Sequence, residues 1–306
     1  MWSSTIDVDG PVHVAEWGAG PARMVLVHGL GGAHLNWMRV APQLTRYGRV
    51  LAPDLPGFGL TPVAGRATTV TAYAALLDRV LEKTCDAPVV LVGNSMGGLI
   101  ALTEAAQHPE RVAGLVLLDA VLPGRWRQWR PRVVLLSFAA YLVPGLGRRF
   151  LAHVRDHLTV EELVAGALRL CAQHPERIPA DVVEAHVELE RRRGRNLDND
   201  GAYVLAARSI FGALVRPAAL RRLIARISAP TLMIHGEADR LVRVIAARRA
   251  KRRRPDWDLQ VLADVGHIPM IEVPYRLLEI TDGWIRSRGL EVAPRAAAAV
   301  AASPAS

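Results

Sequence analysis

Short apolar runs alternate with amphipathic stretches along most of the chain. Six runs are rich in Val, Leu and Ile, as buried parallel strands are; they cover residues 24–29, 49–59, 87–95, 111–120, 229–239 and 258–267. Residues 71–84 and 97–109 instead carry apolar side chains at helical spacing. Strands that alternate with helices predict an α/β fold, with a mostly parallel sheet covered by helices on both faces.

The alternation stops between residues 123 and 226, where the chain is Arg-rich and helical in pattern. We interpret this stretch as a helical insertion, hereafter the cap, in a core formed by residues 1–122 and 227–289. Residues 4–20 contain two strand-like runs around Asp9-Gly10, a common hairpin turn. Residues 290–306 are of low complexity, which predicts a disordered tail.

Composition narrows the class of protein. The 306 residues are 51% hydrophobic and 22% charged, which excludes a disordered chain. Two cysteines, Cys85 and Cys171, exclude a disulfide scaffold and a zinc site built from several cysteines. The chain has no apolar run of about twenty residues, and its start, MWSSTIDVDG, lacks the features of a secretory signal. A cytoplasmic location is therefore expected.

The net charge of +9 raises the question of an anionic partner. The basic run 248–254 contains no aromatic residues and no nucleic-acid motif accompanies it, so we expect a solvated helix face and no nucleic-acid partner. A cluster of Arg and Trp at 125–132 precedes the apolar stretch 133–147. We favour a cap helix that lines a pocket; the alternative is an interfacial segment that contacts a membrane peripherally. The oligomeric state is not predicted.

The strongest chemical signal is the sequence Gly93-Asn94-Ser95-Met96-Gly97-Gly98. An apolar strand pattern precedes this G-x-S-x-G motif and a helical pattern follows it. That context predicts a sharp strand-to-helix turn, with Ser95 exposed in a strained conformation as a nucleophile. The backbone N–H of Met96 would lie at the helix N-terminus, where it can donate to an oxyanion.

A serine nucleophile needs a general base, and the base needs an acid that orients it. The order Ser, acid, His along the chain selects Asp239 and His267, which follow two successive strand-like runs. Such strand ends are where the active sites of open α/β sheets gather. Asp119, which ends the run LVLLDA, is a second candidate acid that we rank behind Asp239.

The second oxyanion donor should come from the Gly-rich loop after the first parallel strand. We assign it to the backbone N–H of Leu30, paired with that of Met96. Glycines let the backbone approach a substrate carbonyl closely. The residues expected to border the substrate are Gly29, Gly31, Asn94 and Ile268.

Five segments together resemble the α/β-hydrolase fold superfamily: VLVHGLGG (25–32), PDLPGFGLT (53–61), LVGNSMGG (91–98), PTLMIHGEADRLV (230–242) and VGHIPMIEVP (265–274). The resemblance is to its serine esterase and lipase-like branch, with the insertion 123–226 as a cap over the active site. It implies a carboxylesterase or lipase-like serine hydrolase that acts through an acyl-enzyme. Such an enzyme requires neither a cofactor nor a metal, and its substrate is a small-molecule ester or a lipid.

Two alternatives remain at this point. The GNSMGG elbow also resembles that of the meta-cleavage-product hydrolases, which break a carbon–carbon bond in dienoic acids. Those enzymes usually carry an aromatic residue after the catalytic histidine, where this chain has Ile268. Some relatives of this fold serve as receptors or scaffolds, but purely structural ones generally lose a member of the triad.

Overall fold

The computed structural model of the protein describes residues 1–123, 139–194 and 196–291. The Arg and Trp cluster 125–132 and most of the tail that we predict to be disordered lie outside these ranges. The centre of the structure is an eight-stranded sheet. Its strands are β1 (Trp2–Asp7), β2 (Pro11–Trp17), β3 (Ala22–Val27), β4 (Arg49–Pro53), β5 (Val89–Asn94), β6 (Val112–Leu118), β7 (Thr231–Gly236) and β8 (Asp258–Leu262).

The strand order β1-β2-β4-β3-β5-β6-β7-β8 produces a mostly parallel sheet, as the alternating pattern predicts. Of the strand pairs in the described chain, β1–β2 and β2–β4 are antiparallel. The β1–β2 pair is the expected hairpin, in which Asp9 and Gly10 adopt positive φ angles of 50° and 113°. The run 49–59 is a strand followed by a Pro/Gly turn, as its sequence predicts: β4 ends at Pro53, and the residues after it form a loop.

Helices cover both faces of the sheet and also form most of the described cap. They are α1 (Ala41–Leu44), α2 (Val70–Thr84), α3 (Met96–Gln107), α4 (Leu146–His157), α5 (Val160–Cys171), α6 (Ala180–Arg193), α7 (Leu197–Leu214), α8 (Pro217–Ala225), α9 (Ile245–Arg253), α10 (Pro269–Glu272) and α11 (Pro274–Ser287). One apolar core includes side chains of α2, α3, α8 and α9, and the other includes side chains of α1, α10 and α11.

Helix α2 shows why the sequence folds in this way. Its buried residues include Tyr73, Leu77 and Val80, which recur at helical spacing and face the core. The Thr69 hydroxyl accepts a hydrogen bond from the Ala72 N–H at 3.2 Å and so satisfies a free donor at the helix N-terminus. The helix is therefore specified both by its apolar face and by its first turn.

Helices α4 to α8 lie between β6 and β7 in the chain, within the insertion that the sequence indicates. Thr159 and Glu162 form reciprocal side-chain to backbone hydrogen bonds at the start of α5, which fix its N-terminus. Among the described residues no single helix is long and apolar enough to cross a membrane, although α7 and α8 together reach that length and composition across an 83° bend.

Candidate active site

Ser95 lies at the sharp turn between β5 and α3. Its φ and ψ angles of 55° and −115° are strained for a residue with a side chain. The surrounding backbone maintains this conformation: the Ser95 N–H donates to the Leu118 carbonyl at 2.9 Å, and the Ser95 carbonyl accepts from the Val121 N–H at 3.2 Å. The turn therefore has the geometry expected of a nucleophile elbow.

The glycines of the motif leave no room for a side chain. A Cβ at Gly97 would lie 2.1 Å from the Val27 carbonyl oxygen, and a Cβ at Gly93 would lie 2.5 Å from that of Gly97. A Cβ at Gly98 would lie 2.5 Å from the Cβ of Ala120. Close packing of α3 against the strands thus requires glycine at all three positions.

The predicted acid and base lie in contact at the carboxyl ends of β7 and β8. His267 Nδ1 and Asp239 Oδ2 are 2.7 Å apart, and both side chains are buried. The other Asp239 oxygen, Oδ1, accepts hydrogen bonds from the N–H groups of Leu241 at 2.7 Å and Val242 at 3.0 Å. Burial would raise the pKa of Asp239, but the charge and hydrogen bond of His267 outweigh it and keep this carboxylate ionised.

Asp119, the second candidate acid, lies beside this pair but is bonded differently. Its Oδ1 accepts the Gly236 N–H at 2.8 Å, and its Oδ2 has no hydrogen-bond partner among the described residues. Burial, followed by the charge of Asp239, raises the pKa of Asp119 well above its usual value. This environment favours the protonated form of Asp119, and of the two acids only Asp239 hydrogen-bonds to His267.

Ser95 and His267 border the same cavity. Asn94 connects their backbones, because its Nδ2 donates to the carbonyls of Leu118 and His267, both at 3.1 Å. No hydrogen bond joins the Ser95 hydroxyl to the His267 ring among the described residues. Such bonds are often long without substrate and tighten in the reacting complex.

The loop after β3 approaches the elbow from the other side. A Cβ on Gly29 would lie 3.1 Å from the Ser95 Cβ, so the backbone of this loop passes directly beside the predicted nucleophile. Neither the Leu30 nor the Met96 N–H donates a hydrogen bond within the described part of the chain. Neither predicted oxyanion donor is thus occupied by another acceptor in this part of the chain.

A cavity of about 380 Å³ lies between the core and the cap. The predicted bordering residues Gly29, Gly31, Asn94 and Ile268 all line it. Sequence reasoning missed its remaining walls, which are mainly apolar side chains of α5, α6 and α7 and include Leu163, Val164, Leu168, Leu189, Tyr203 and Ile210. The amphipathic pattern of α5 was a usable signal, but the pattern alone does not say whether an apolar face meets a core or a cavity.

Three groups of His and acidic side chains lie close enough together to hold an ion, considering only the described ranges. They are His13, His34 and Asp54; Asp78, Glu104 and His108; and Asp119, Asp239 and His267. In the first and third groups, histidine Nδ1 atoms already hydrogen-bond to a carboxylate. The geometry of these two groups is therefore that of hydrogen-bond networks.

The chain belongs to the alpha/beta hydrolase fold family, whose model matches residues 22–274. This match includes the elbow, the loop after β3, and the Asp239 and His267 segments. The family therefore agrees with the fold and with the resemblance seen in the sequence.

Individual relatives carry esterase and lipase names. The chain is 41% identical over 139 residues to Lipase LipV of Mycobacterium tuberculosis; that match covers 45% of this chain and 52%, or about half, of the lipase. It is 28% identical to the pimeloyl-[acyl-carrier protein] methyl ester esterase of Aeromonas hydrophila over 90% of this chain and 99% of that protein. A solved thermophilic esterase from Thermogutta terrifontis is 26% identical, with a TM-score of 0.66 over 95% of this chain and all of the esterase.

Proposed function

We propose that this protein is a serine hydrolase that cleaves carboxylic esters. The observation that carries the proposal is the arrangement at one cavity wall: a strained, accessible Ser95 and a His267 held by Asp239 border the same apolar space. The family match and the esterase and lipase names of its relatives support the same reaction class.

In the proposed mechanism, the Ser95 hydroxyl oxygen attacks the ester carbonyl carbon while His267 Nε2 takes the hydroxyl proton. The carbonyl oxygen becomes an oxyanion, which the N–H groups of Leu30 and Met96 stabilise. When the tetrahedral intermediate collapses, His267 returns the proton to the leaving alcohol and an acyl-enzyme remains. Water, deprotonated by His267, then attacks the acyl carbon, and as the second tetrahedral intermediate collapses His267 gives this proton to the leaving Ser95 oxygen, which releases the carboxylic acid.

Asp239 contributes to both steps without itself taking a proton. Its Oδ2 accepts the His267 Nδ1–H, so that Nε2 carries the lone pair that a general base needs. Its negative charge also stabilises the imidazolium ion that forms in each step. The two backbone N–H groups on Oδ1 hold the carboxylate in this orientation.

The cavity indicates the class of substrate. Leu163, Val164 and Leu168 of α5 place an apolar wall opposite the core, and Leu189 continues it on α6. An aliphatic acyl group would bury its surface there and leave its carbonyl near Ser95, so we propose an acyl ester or a lipid as substrate. The volume lies in the range of about 300–1,000 Å³ that is usual for small-molecule sites.

The decisive experiment compares initial rates on p-nitrophenyl esters of increasing acyl length for the wild type and Ser95→Ala. We expect hydrolysis by the wild type and a loss of about 10⁶-fold in turnover in the variant. A fluorophosphonate probe should label the wild type once, at Ser95. An inert wild type, or an equally active Ser95→Ala variant, would contradict the proposal.

One observation favours the carbon–carbon hydrolase as the second candidate. Such a substrate carries a carboxylate, and the cavity wall contains Arg193. However, Arg193 is already bonded to Glu190 at 2.5 Å and to the Gly57 carbonyl at 2.9 Å. Only its Nε lacks a partner among the described residues. A carboxylate would therefore have to compete with Glu190, which favours a neutral ester.

A turnover assay with a 2-hydroxy-6-oxodienoic acid separates the two candidates. An ester hydrolase should leave this substrate unchanged at enzyme concentrations that cleave p-nitrophenyl esters completely. Dienoate cleavage that exceeds ester cleavage and disappears in Arg193→Met would establish the second candidate instead.

The outer surface of the cap supports a finer proposal, a peripheral contact with an anionic lipid surface. Four apolar side chains are between 37% and 49% exposed near the basic Arg148 and Arg149; they are Leu142, Val143, Leu146 and Phe150. Exposed apolar groups beside arginines fit the boundary between anionic headgroups and acyl chains. Phe150→Ser should reduce co-sedimentation with phosphatidylglycerol vesicles without changing hydrolysis of a soluble ester. Equal binding of both proteins would refute the contact.

A further inference from the structure

A second buried polar network lies beside the oxyanion loop, which we define as Gly29–Ala33. The mechanism above does not use it. Asp54, just after β4, is fully buried. Its Oδ2 lies 2.9 Å from both His13 Nδ1 and His34 Nδ1 and accepts the Leu60 N–H at 2.8 Å. Its Oδ1 accepts the His34 N–H at 2.7 Å. One carboxylate therefore connects three separate segments of the chain.

Asp54 is ionised in spite of its burial. Burial alone would raise the pKa of Asp54, but the hydrogen bonds from His13 and His34 hold this pKa well below its usual range. A carboxylate that accepts several N–H bonds is a rigid anchor, because each bond fixes one donor in position. The negative charge thus organises the backbone around it.

Leu55, the residue after Asp54, anchors the other end of the oxyanion loop. The Leu55 N–H donates to His28 Nε2 at 3.0 Å, and His28 Nδ1 lies 2.8 Å from the Gly29 carbonyl, so Nδ1 is the donor to that carbonyl. Burial lowers the pKa of His28, which keeps the ring neutral and able to accept at Nε2. His28 and His34 flank the oxyanion loop. His28 is hydrogen-bonded to Leu55 and His34 to Asp54, so both ends of the loop are attached to two consecutive residues.

Gly59 allows the backbone to pass very close to the Asp54 carboxylate. It has a φ angle of +51°, and a Cβ there would lie 2.1 Å from the Asp54 carboxyl carbon. The loop after β4 thus folds back over the carboxylate and delivers the Leu60 N–H to it. No side chain other than the hydrogen of glycine fits at this position.

We propose that Asp54 is a positioning residue for oxyanion stabilisation: through His34, and together with the Leu55–His28 bond, it holds the loop that presents the Leu30 N–H beside Ser95. This inference rests on the proposed ester hydrolysis. In this proposal a buried carboxylate outside the substrate cavity lowers the energy of the transition state by holding the oxyanion donor in place.

The substitution Asp54→Asn tests the role with almost no change in shape. Its amide NH₂ must face either the Leu60 N–H at the Oδ2 position or the His34 N–H at the Oδ1 position, and a backbone N–H, unlike a histidine ring nitrogen, can only donate. Either orientation places donor against donor, which displaces the loop. Loss of one oxyanion donor costs about 10²–10³-fold in kcat. A displaced donor should cost less, so we expect kcat to fall by about 10–100-fold while KM changes by less than about threefold.

Two inhibitors distinguish a misplaced oxyanion donor from a general disturbance of the substrate site. An alkylboronic acid adds to the Ser95 hydroxyl oxygen and places a tetrahedral anion in the oxyanion hole, whereas an alkyl aryl ether of the same length has no carbonyl group. In Asp54→Asn, the Ki of the boronic acid should rise in proportion to the fall in kcat, and the Ki of the ether should stay the same. A matched control is Asp258→Asn at the start of β8, where the carboxylate holds Trp284 Nε1 at 2.8 Å and Arg288 at 2.5 Å.

If Asp54→Asn does not fold, His34→Leu decides the question, because it removes one ring donor and leaves the carboxylate. It should lower kcat and boronic acid affinity in parallel, but less steeply. Unchanged kcat and boronic acid affinity in a folded variant would overturn the proposal, as would a rise in KM and in the Ki of the ether. A wild type that neither cleaves esters nor binds the boronic acid would instead refute the proposed function.

Discussion

Replacement of Asp239 by asparagine should disable the general base by forcing the wrong tautomer. The Leu241 and Val242 N–H groups at 2.7 and 3.0 Å require an acceptor at the Oδ1 position, so the amide oxygen of the new side chain will occupy it. The NH₂ group must then face His267 Nδ1, which is 2.7 Å from the Oδ2 position in the wild type. His267 can accept that bond only if its proton moves to Nε2, and it then has no lone pair for the Ser95 proton.

The magnitude follows from the role of the acid in comparable triads. Acid-to-amide replacement there lowers kcat by about 10⁴-fold with little change in geometry. We therefore expect kcat/KM for p-nitrophenyl butyrate to fall by about 10³–10⁴-fold in Asp239→Asn. Fluorophosphonate labelling of Ser95 should slow in parallel, because it needs the same deprotonation.

Glu237→Gln is the matched control, since it replaces an exposed acid two residues away that pairs only with Arg248 in the described structure. It should retain full activity. The double variant Asp239→Asn with Asp119→Asn tests whether the neighbouring acid, Asp119, can serve His267 in place of Asp239. If Asp239→Asn retained more than a tenth of wild-type activity, the tautomer argument would be refuted. If the double variant then lost that activity, Asp119 would be the acid that serves His267.

Three further results are expected. Gly97→Ala should abolish esterase activity and lower Tm, because its Cβ would lie 2.1 Å from the Val27 carbonyl oxygen; an active, stable variant would show that the elbow can relax. Glu104 is buried, and burial followed by the charge of Asp78 raises its pKa to about 8, so the unfolding free energy should fall as pH rises from about 4.5 to 8, by up to about 5 kcal/mol. Urea titrations should show a flatter pH dependence for Glu104→Gln, and an unchanged slope would argue against a protonated Glu104. Leu168→Trp should shift the preference towards short acyl chains without lowering kcat for acetate esters, and an unchanged chain-length profile would place the acyl group elsewhere.

Much of the fold and the position of the elbow could be predicted because their signals are local. The strand Val89–Asn94 is a continuous apolar run, and the glycines at its end and just after it are a compact motif in the sequence, although the atoms that exclude a side chain there come from the turn itself, from β3 and from the segment after β6. Ser95, Asp239 and His267 could be selected because each ends or follows a strand-like run, and parallel strands bring their carboxyl ends to one edge. The predicted acid and base are indeed in contact.

The Asp54 network and the cavity could not be derived in this way. His13, His34 and Asp54 are 20 or more residues apart in sequence, and no periodicity indicates that they share one carboxylate. Leu168 and Leu189 follow helical spacing that is equally suited to a packed core and to a cavity wall. Glu104 lies in a helix that is buried on nearly all sides, where polarity in the sequence predicts exposure.

Buried acidic side chains organise the backbone along the edge of the sheet where the candidate site lies. Asp54 binds N–H groups of two loops, Asp119 binds that of Gly236, and Asp239 binds those of the loop after β7.

Glu272 extends this arrangement to the cap. Its carboxylate accepts the Gly266 N–H at 3.0 Å and, from the segment after α5, the N–H groups of Gln173 at 3.1 Å and His174 at 3.0 Å. The His267 N–H in turn donates to the Cys171 carbonyl at 2.7 Å. The end of α5 is therefore attached directly to the histidine loop. The attachment combines hydrogen bonds to the buried Glu272 carboxyl group with the backbone bond between His267 and Cys171, so the end of α5 and the histidine loop are held together by polar contacts at both of their backbones.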